Sequence, residues 1–237
     1  RLALPLMGAQ VGMMLLGVVE TLLVGRAGTM ALGAVSLGNV WTHGTILMAT
    51  GVIMGADPLL SQAYGASDPR TAALTFQRGL VLSLLLGLLV SLLWLGTRPV
   101  LAFFGQDPGL SALAASFVVV QAPTAFGFLV FTITRQYLAG RGVVAPSLAV
   151  VLVVNLVNAV LTWWLVFGGS GFSPAVGAGV AASLVRLLLP AMLLGLTFGL
   201  GLHRAAWLPW QRASFELRHI GRIAWLGLPV GLQFGLE

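Results

Sequence analysis

The chain has 237 residues, of which 58% are hydrophobic and only 8% are charged, and its mean hydropathy is +1.01. About a quarter of the residues in soluble domains are charged, so this composition excludes an ordinary soluble domain and indicates a membrane protein. The net charge of +6 comes from twelve arginines and no lysine, without the basic and aromatic patch that nucleic-acid binding needs. With no cysteine, the chain has neither a disulfide framework nor a thiolate metal site.

Seven apolar stretches follow one another along the chain, separated by charged, proline-rich or glycine-rich breaks. They cover residues 2–24, 31–56, 79–96, 110–134, 146–167, 176–200 and 223–237. Six of them are close to the ~20 residues that a helix needs to cross a bilayer, and the seventh is shorter. The runs are continuous rather than alternating, which favours helices over transmembrane strands. We therefore predict an all-α polytopic membrane protein.

The arginines predict the orientation of these spans. If the stretches cross the membrane alternately, only Arg26 and Arg98 fall on one side. Nine fall on the other side: Arg1, Arg70, Arg78, Arg135, Arg141, Arg204, Arg212, Arg218 and Arg222. By the positive-inside rule this second side, with the N-terminus, is cytoplasmic. We expect a multi-pass protein of the plasma (inner) membrane.

The longest connection, residues 203–222, contains four arginines together with Trp207 and Trp210. Tryptophan is typical of the headgroup region, so we interpret this segment as a linker along the cytoplasmic interface, with an ordinary loop as the alternative. After it, the sequence LGLP at 226–229 echoes LALP at 2–5, where a second repeat of the same orientation would begin. We predict a six-helix N-terminal lobe (1–202), an inter-lobe linker (203–222) and the start of a C-terminal lobe (223–237). The rest of that second lobe is expected in the same protein.

Several polar residues fall inside the apolar stretches. Glu20 is an acid in an otherwise uncharged run, where a carboxylate costs roughly 2.5–3.5 kcal/mol, and such acids commonly mark ion or proton paths. Asn155, Asn158 and Thr162 share one helix face because they are spaced i, i+3 and i+7. At 1.5 Å per residue, Thr162 and Glu20 lie at similar depth, with Asn158 a turn below. Either these side chains line one cavity, or the asparagines only form hydrogen bonds between helices.

Four further ionisable residues lie within the spans. Arg186, the one mid-membrane cation in the sequence, is a candidate charge partner for Glu20. A permanent pair would prevent Glu20 from cycling protons, so the two roles exclude each other. Asp57 lies near the inner headgroups, which suggests a structural or gating role, and His43 is more typical of packing than of proton transfer. Glu237 would be a second buried acid.

Motifs of soluble enzymes are absent from the sequence. There is no G-x-x-x-x-G-K-[ST], so ATP-driven transport is unsupported, and there is no H-E-x-x-H or G-x-S-x-G. We therefore expect neither an enzyme nor a cofactor. A pump without a nucleotide site must use an ion gradient.

Six segments resemble the multidrug and toxic compound extrusion (MATE) family along the whole chain. They are VVETLLVGR at 18–26, DPLLSQAYGA at 57–66, QRG at 77–79, YLAGRG at 137–142 with Pro146, NLVNA at 155–159, and GLP at 227–229 with Glu237. The resemblance implies twelve helices in two six-helix lobes around a cavity that opens alternately to each side. It also implies export of cationic, amphipathic drugs in exchange for H⁺ or Na⁺.

The same resemblance implies roles for individual residues. The first-helix acid and the fifth-helix asparagine of the family correspond to Glu20 and Asn158, a possible Na⁺ site, and the seventh-helix acid corresponds to Glu237. We add Thr162 to this cation- or proton-coupling group. The motif that contains Asp57, Gln62 and Tyr64 corresponds to the family's inner second-helix motif, for which we expect a gating or structural role.

This chain also departs from the family pattern. Glu20 stands where an aspartate is usual, Thr162 where many bacterial members have Asn or Asp, and Ala182 where a threonine often contributes, although Ser183 is adjacent. Hard cations need several oxygen ligands, so these changes favour H⁺ over Na⁺ as the coupling ion. The resulting hypothesis is that Glu20 takes a proton from outside and repacks its contacts with Asn158 and Thr162, which biases the lobe towards drug release.

Two other functions stay open from the sequence. A flippase for lipid-linked oligosaccharide, from the same superfamily, predicts a cationic cavity, to which only Arg186 points. A membrane scaffold without transport activity predicts a permanent Glu20–Arg186 pair and no cavity.

Overall fold

The computed structural model describes residues 3–169, 171–203 and 208–236, and these residues form helices joined by short turns. Ten α-helices follow in chain order: α1 (Ala3–Gly25), α2 (Thr29–Met54), α3 (Ala56–Gly65), α4 (Pro69–Leu95), α5 (Thr97–Phe103), α6 (Pro108–Val119), α7 (Ala125–Gly140), α8 (Ala145–Phe167), α9 (Pro174–Gly199) and α10 (Leu217–Leu236). Two 3₁₀ turns, Ala122–Thr124 and Arg212–Phe215, complete the described part. The predicted all-α class is confirmed.

Five segments of the described chain are long and apolar enough to cross a membrane. They are Thr29–Gly65, Pro69–Leu95, Pro108–Gly140, Ala145–Phe167 and Pro174–Gly199. With 23 residues, α1 has the same length as the α8 span. One face of α4 exposes a row of leucines, about half or more of each side chain being accessible: Leu84, Leu85, Leu88 and Leu92. Such a continuous apolar face suits contact with lipid rather than water.

Two of the spans are broken within the bundle. The second turns from α2 into α3 at Gly55, and the fourth is interrupted between α6 and α7, where Pro123 stands in the 3₁₀ turn. Irregular backbone at membrane depth requires other groups to satisfy its carbonyls. Ser91 of α4 donates to the Ala122 carbonyl at 2.5 Å, and Ser183 of α9 donates to the Val120 carbonyl at 3.1 Å. The break in the fourth span is therefore stabilised by its neighbours.

Two helices begin earlier than the hydropathy pattern predicts. The third span starts at Pro69 rather than residue 79, and α10 starts at Leu217 rather than residue 223. The polar residues Gln77 and Arg78 are buried inside α4 because they bind the segment before α10. Gln77 donates to the Leu208 carbonyl at 2.7 Å and accepts from Ser214 Oγ at 2.6 Å. The segment before α10 is thus attached to α4, and the inter-lobe linker at 203–222 stays a prediction.

Glycines permit the closest helix contacts. On α1, a Cβ at Gly12 would lie 2.6 Å from Val151 of α8. At the turn after α2, a Cβ at Gly55 would lie 2.1 Å from the Ile223 carbonyl oxygen of α10. On α10, a Cβ at Gly227 would lie 2.0 Å from the Val52 carbonyl oxygen of α2. Because no side chain separates the backbones, α2 and α10 cross in direct contact.

Candidate functional site

Glu20 lies near the C-terminal end of α1 and is buried, with only 8% of the residue exposed. Its Oε2 accepts a hydrogen bond from Asn39 Nδ2 of α2 at 3.2 Å. Its Oε1 is buried and has no hydrogen-bond partner among the residues that the structure describes. A buried carboxylate oxygen without a hydrogen-bond donor is costly in free energy.

Asn39 was missed by the sequence reasoning. It occupies the middle of α2, where its carbonyl accepts from Thr42 Oγ1 at 3.3 Å and lies 2.9 Å from His43 Nδ1. The available signal was an uncharged amide inside an apolar span, a residue type that typically bonds across helices. His43 is exposed on the described bundle and bonds only to its own helix.

The two asparagines of α8 have different surroundings. Asn155 Nδ2 donates to the Gly12 carbonyl of α1 and to the Val151 carbonyl of its own helix, both at 2.8 Å. Asn155 therefore joins α8 to α1. Asn158 and Thr162 are buried further along the same helix, and Thr162 Oγ1 donates to Asn158 Oδ1 at 3.4 Å.

The packing of α1 against α8 sets the level of Glu20. A Cβ at Gly8 would meet Leu148, and a Cβ at Gly12 would meet Val151 and Asn155, so the two helices run in the same direction. Continued by two turns, this register brings Glu20 level with the turn of α8 that holds Thr162. The carboxylate's hydrogen bond nevertheless goes to α2 rather than to α8.

Arg186 lies near the middle of α9 and does not form an ion pair with Glu20. The ion pairs among the described residues are Arg78–Glu216 and His219–Glu216, at the other end of the bundle. The Arg186 guanidinium instead donates from Nη1 to Gln121 Oε1 and lies over the Trp94 ring, 5.0 Å from its centroid. The sequence reasoning also missed Gln121, which immediately precedes the 3₁₀ turn.

The three residues of the predicted gating motif do not converge on Glu20. Asp57 lies in the first turn of α3 and interacts electrostatically with Arg135 of α7 without an ion pair. Gln62 is exposed. Tyr64 packs edge-on against Tyr137, with ring centroids 6.1 Å apart. Asp57 and Tyr64 thus link α3 to α7.

Two further expectations concern residues around the acid. The Ser183 hydroxyl donates to the Val120 carbonyl at 3.1 Å and to the Gly179 carbonyl of its own helix at 2.9 Å. The bond to Val120 joins α9 to the fourth span. Glu237 lies outside the described residues. Among the residues that are described, no cluster of three His, Cys, Asp or Glu side chains forms a metal site.

A cavity of about 470 Å³ opens between α2, α5 and α10. Its lining is almost entirely apolar, with Trp41, Thr45 and Gln106 as its polar or amphipathic members. The Trp41 indole N–H is buried, and no described residue accepts a hydrogen bond from it. Cavities of this size and character accept drug-sized molecules that carry an aromatic body and a few polar groups.

These features define a polytopic, all-helical membrane protein with broken spans around a buried, half-satisfied acid. The family model described as MatE matches residues 5–164, so the chain belongs to the MATE family of transporters. It is similar to a probable multidrug resistance protein NorM of Rhizobium meliloti, with 32% identity over 82% of this chain and 42% of the relative. A probable NorM of Synechococcus sp. is 31% identical over the whole chain and 52% of the relative.

A solved structure shares the fold. The crystal structure of the eukaryotic MATE transporter AtDTX14 superposes on 99% of this chain and 52% of its own, with a TM-score of 0.87 at 20% sequence identity. The chain spans about half the length of the curated relatives and of this structure.

Proposed function

We propose that this chain is the N-terminal six-span lobe, with the start of a second lobe, of a secondary active multidrug efflux antiporter. The transporter exports cationic, amphipathic compounds in exchange for H⁺ or Na⁺ by alternating access. Membership of the MATE family and the multidrug resistance names of relatives support this function. The arginine distribution supports a cytoplasmic N-terminus in the inner membrane.

The single observation that carries the proposal is the state of Glu20. The carboxylate is buried, one oxygen accepts a hydrogen bond from Asn39, and the other has no partner within the described part of the chain. A charge in such surroundings is stabilised when a monovalent cation or a proton neutralises it. An acid that gains and loses a cation as the protein changes conformation is what a coupled transporter requires.

Proton coupling fits the surroundings better than sodium coupling. The bound neighbour of Glu20 is the Asn39 amide nitrogen, which is a donor and cannot ligate a cation. On α8, near the level of Glu20, Thr162 Oγ1 donates a hydrogen bond to Asn158 Oδ1. Because Na⁺ needs several oxygen ligands, a site with one free carboxylate oxygen suits H⁺. For Na⁺ to bind at Glu20 and Asn158, the Asn158 amide and the Thr162 hydroxyl would have to turn towards the Glu20 carboxylate.

Neutralisation of Glu20 acts on the helix contacts around it. The Asn39 bond joins α1 to α2, and α1 is packed on α8 through its glycines. When the carboxylate gains a proton, the attraction to the Asn39 amide weakens. We propose that α1 then shifts against α2 and α8, including Asn158 and Thr162, and that this shift favours drug release to the outside.

The apolar cavity beside Trp41 supports the substrate class. Its lining offers surface for the aromatic or aliphatic body of an amphipathic compound. Neither alternative function is favoured by a particular contact. A scaffold would require the Glu20–Arg186 ion pair, which the described residues do not form. A flippase would require a cationic cavity, whereas no arginine of the described residues lines the cavity beside Trp41.

The test is gradient-driven efflux of a cationic dye by Glu20→Gln, with the natural protein that contains this chain reconstituted in liposomes. The substitution keeps the size of the side chain and removes both its negative charge and its titratable proton, so we expect at least a tenfold loss of coupled efflux. Asp107→Asn is the matched control, because Asp107 caps α6 at the surface and asparagine caps equally well. Efflux by Glu20→Gln equal to that of the control would exclude this role for Glu20.

The coupling ion is identified in the same vesicles. A pH gradient without Na⁺ should drive dye efflux, whereas a Na⁺ gradient at equal pH should not. The reverse result would establish Na⁺ coupling and contradict the preference for H⁺.

A further inference from the structure

Glu20, which is buried, and Arg186, which is partly buried, carry opposite charges within the same helical bundle and interact electrostatically, yet they do not form an ion pair with each other. In a medium of low dielectric constant, opposite charges attract far more strongly than in water. Two groups of this kind stay apart only when other contacts hold each of them in place. The structure contains such a contact for Arg186 and another for Glu20.

On the side of the cation, the contact is Gln121. This residue is fully buried, and its Nε2 donates to the Phe117 carbonyl at 2.8 Å. A carbonyl can only accept, so the amide nitrogen must face Phe117 and the amide oxygen must face the opposite way. Arg186, which has only donors, meets that oxygen. The orientation of the Gln121 amide is therefore fixed by its own helix and creates an acceptor for the guanidinium.

Trp94 contacts the Arg186 guanidinium in addition to Gln121. Its ring lies under the Arg186 guanidinium, with 5.0 Å between the guanidinium carbon and the ring centroid. The indole is fully buried, and its Nε1 donates to Thr45 Oγ1 at 2.8 Å, so the ring is itself held in position. The π face of a tryptophan attracts a cation, most strongly where water is excluded. An oxygen acceptor and a ring face together hold the charge without a carboxylate.

On the side of the acid, the contact is Asn39. Its Nδ2 donates to one oxygen of Glu20, and the other oxygen has no partner in residues 3–169, 171–203 and 208–236. An amide donor stabilises a carboxylate without neutralising it. Asn39 thus positions the Glu20 carboxylate but binds only one of its two oxygens. An arginine at the position of Asn39 would bind both oxygens with two parallel hydrogen bonds.

We propose that Gln121 is a positioning residue that keeps Arg186 away from Glu20, so that the carboxylate stays open to the coupling cation. This inference rests on the proposed antiport function. It assigns a role to the break between α6 and α7, because Gln121 stands at that break and its acceptor points at α9. Without Gln121, Arg186 turns to Glu20 and occupies the place of the coupling cation.

The test begins with Gln121→Met, which nearly keeps the length of the side chain and removes the acceptor. We expect at least a tenfold loss of gradient-driven efflux from liposomes that contain the natural protein. The double variant Gln121→Met/Arg186→Met should recover most of that loss, because no cation is left to capture Glu20. A third variant, Gln121→Glu, still holds Arg186 and should keep efflux well above that of Gln121→Met.

A second measurement does not depend on transport. A hydrophobic carbodiimide modifies buried carboxyl groups in their protonated form, and mass spectrometry of the Glu20 peptide gives the extent of labelling. An ion pair with Arg186 protects the carboxylate. Labelling should therefore fall at least fivefold in Gln121→Met and return in the double variant.

Either of two results overturns the inference: Gln121→Met keeps wild-type efflux and labelling, or the double variant recovers neither. The second result means that Gln121 only stabilises the helix break. Failure of the antiport proposal is separate, since it appears as unchanged efflux in Glu20→Gln, while the labelling test still reports whether Arg186 is held away.

Discussion

Substitution of Gly227 by alanine should force α10 away from α2. A Cβ at this position would lie 2.0 Å from the Val52 carbonyl oxygen and 2.6 Å from its carbon, both backbone atoms that cannot rotate aside. To restore an ordinary contact of 3.4 Å, the helices must separate by roughly 1.4 Å. Insertion of a methyl group into a closely packed interface typically costs about 1–3 kcal/mol.

The matched control lies on the same helix. Gly221 has nothing within 4 Å of an added Cβ, so Gly221→Ala gains helix propensity without a clash. In a chain of this size each kcal/mol corresponds to about 2–4 °C in melting temperature, so Gly227→Ala should melt roughly 2–12 °C below wild type. Thermal unfolding of the detergent-purified protein, followed by fluorescence size exclusion, measures both variants. Equal melting temperatures for the two would refute the direct backbone contact between α2 and α10.

Two smaller predictions concern the end of the bundle that carries most arginines. The hydrogen bonds from the Thr71 side chain and backbone hold the pKa of Asp68, the N-cap of α4, below its usual range. The ionised Asp68 side chain therefore stabilises the fold at neutral pH, and this stabilisation is lost as the pH falls from about 4 through the lower folded-state pKa. The difference in melting temperature between wild type and Asp68→Asn should shrink over that pH range. Gln77→Leu should lower the free energy of unfolding by about 1–3 kcal/mol, because Ser214 and the Leu208 carbonyl lose their buried partner. The control Gln62→Leu, at an exposed position, should leave the melting temperature nearly unchanged in the same assay.

Much of the fold was predictable because hydropathy reports directly on which segments lie in lipid. The predicted stretches 146–167 and 176–200 match Ala145–Phe167 and Pro174–Gly199 within two residues. The third span was predicted ten residues too short at its start. Polar side chains such as Gln77 end an apolar run, and only the fold shows that they are buried against the linker.

The candidate site was predictable in depth but not in lateral position. Helical rise places Glu20 and Thr162 at one level from residue numbers alone, and the register of α1 against α8 agrees with that level. Which neighbour faces the carboxylate depends on how each helix is rotated about its axis. A span that is apolar all round carries little information on that rotation. For this reason Asn39 was missed, and the pairing of Glu20 with Arg186 stayed open.

The break that holds Gln121 left a signal in the sequence. Pro123 lies inside a stretch that hydropathy predicts as continuous, and a proline in a helix interior removes a hydrogen bond and usually interrupts the helix. The predicted span 110–134 ignored this residue. The polar residue two positions before the proline was then the natural candidate for a side chain that satisfies the exposed backbone.

The position of α2 links the acid to α10. Asn39, which binds Glu20, and Gly51, which contacts α10, lie twelve residues apart on this one helix, about 18 Å along its axis. A helix transmits a tilt over such a length, and the glycine contact with α10 leaves no side chains to absorb it. We therefore expect that a cation arriving at Glu20 moves α10 through α2. Gly227→Ala should then weaken coupled efflux as well as stability, while Gly221→Ala leaves both intact.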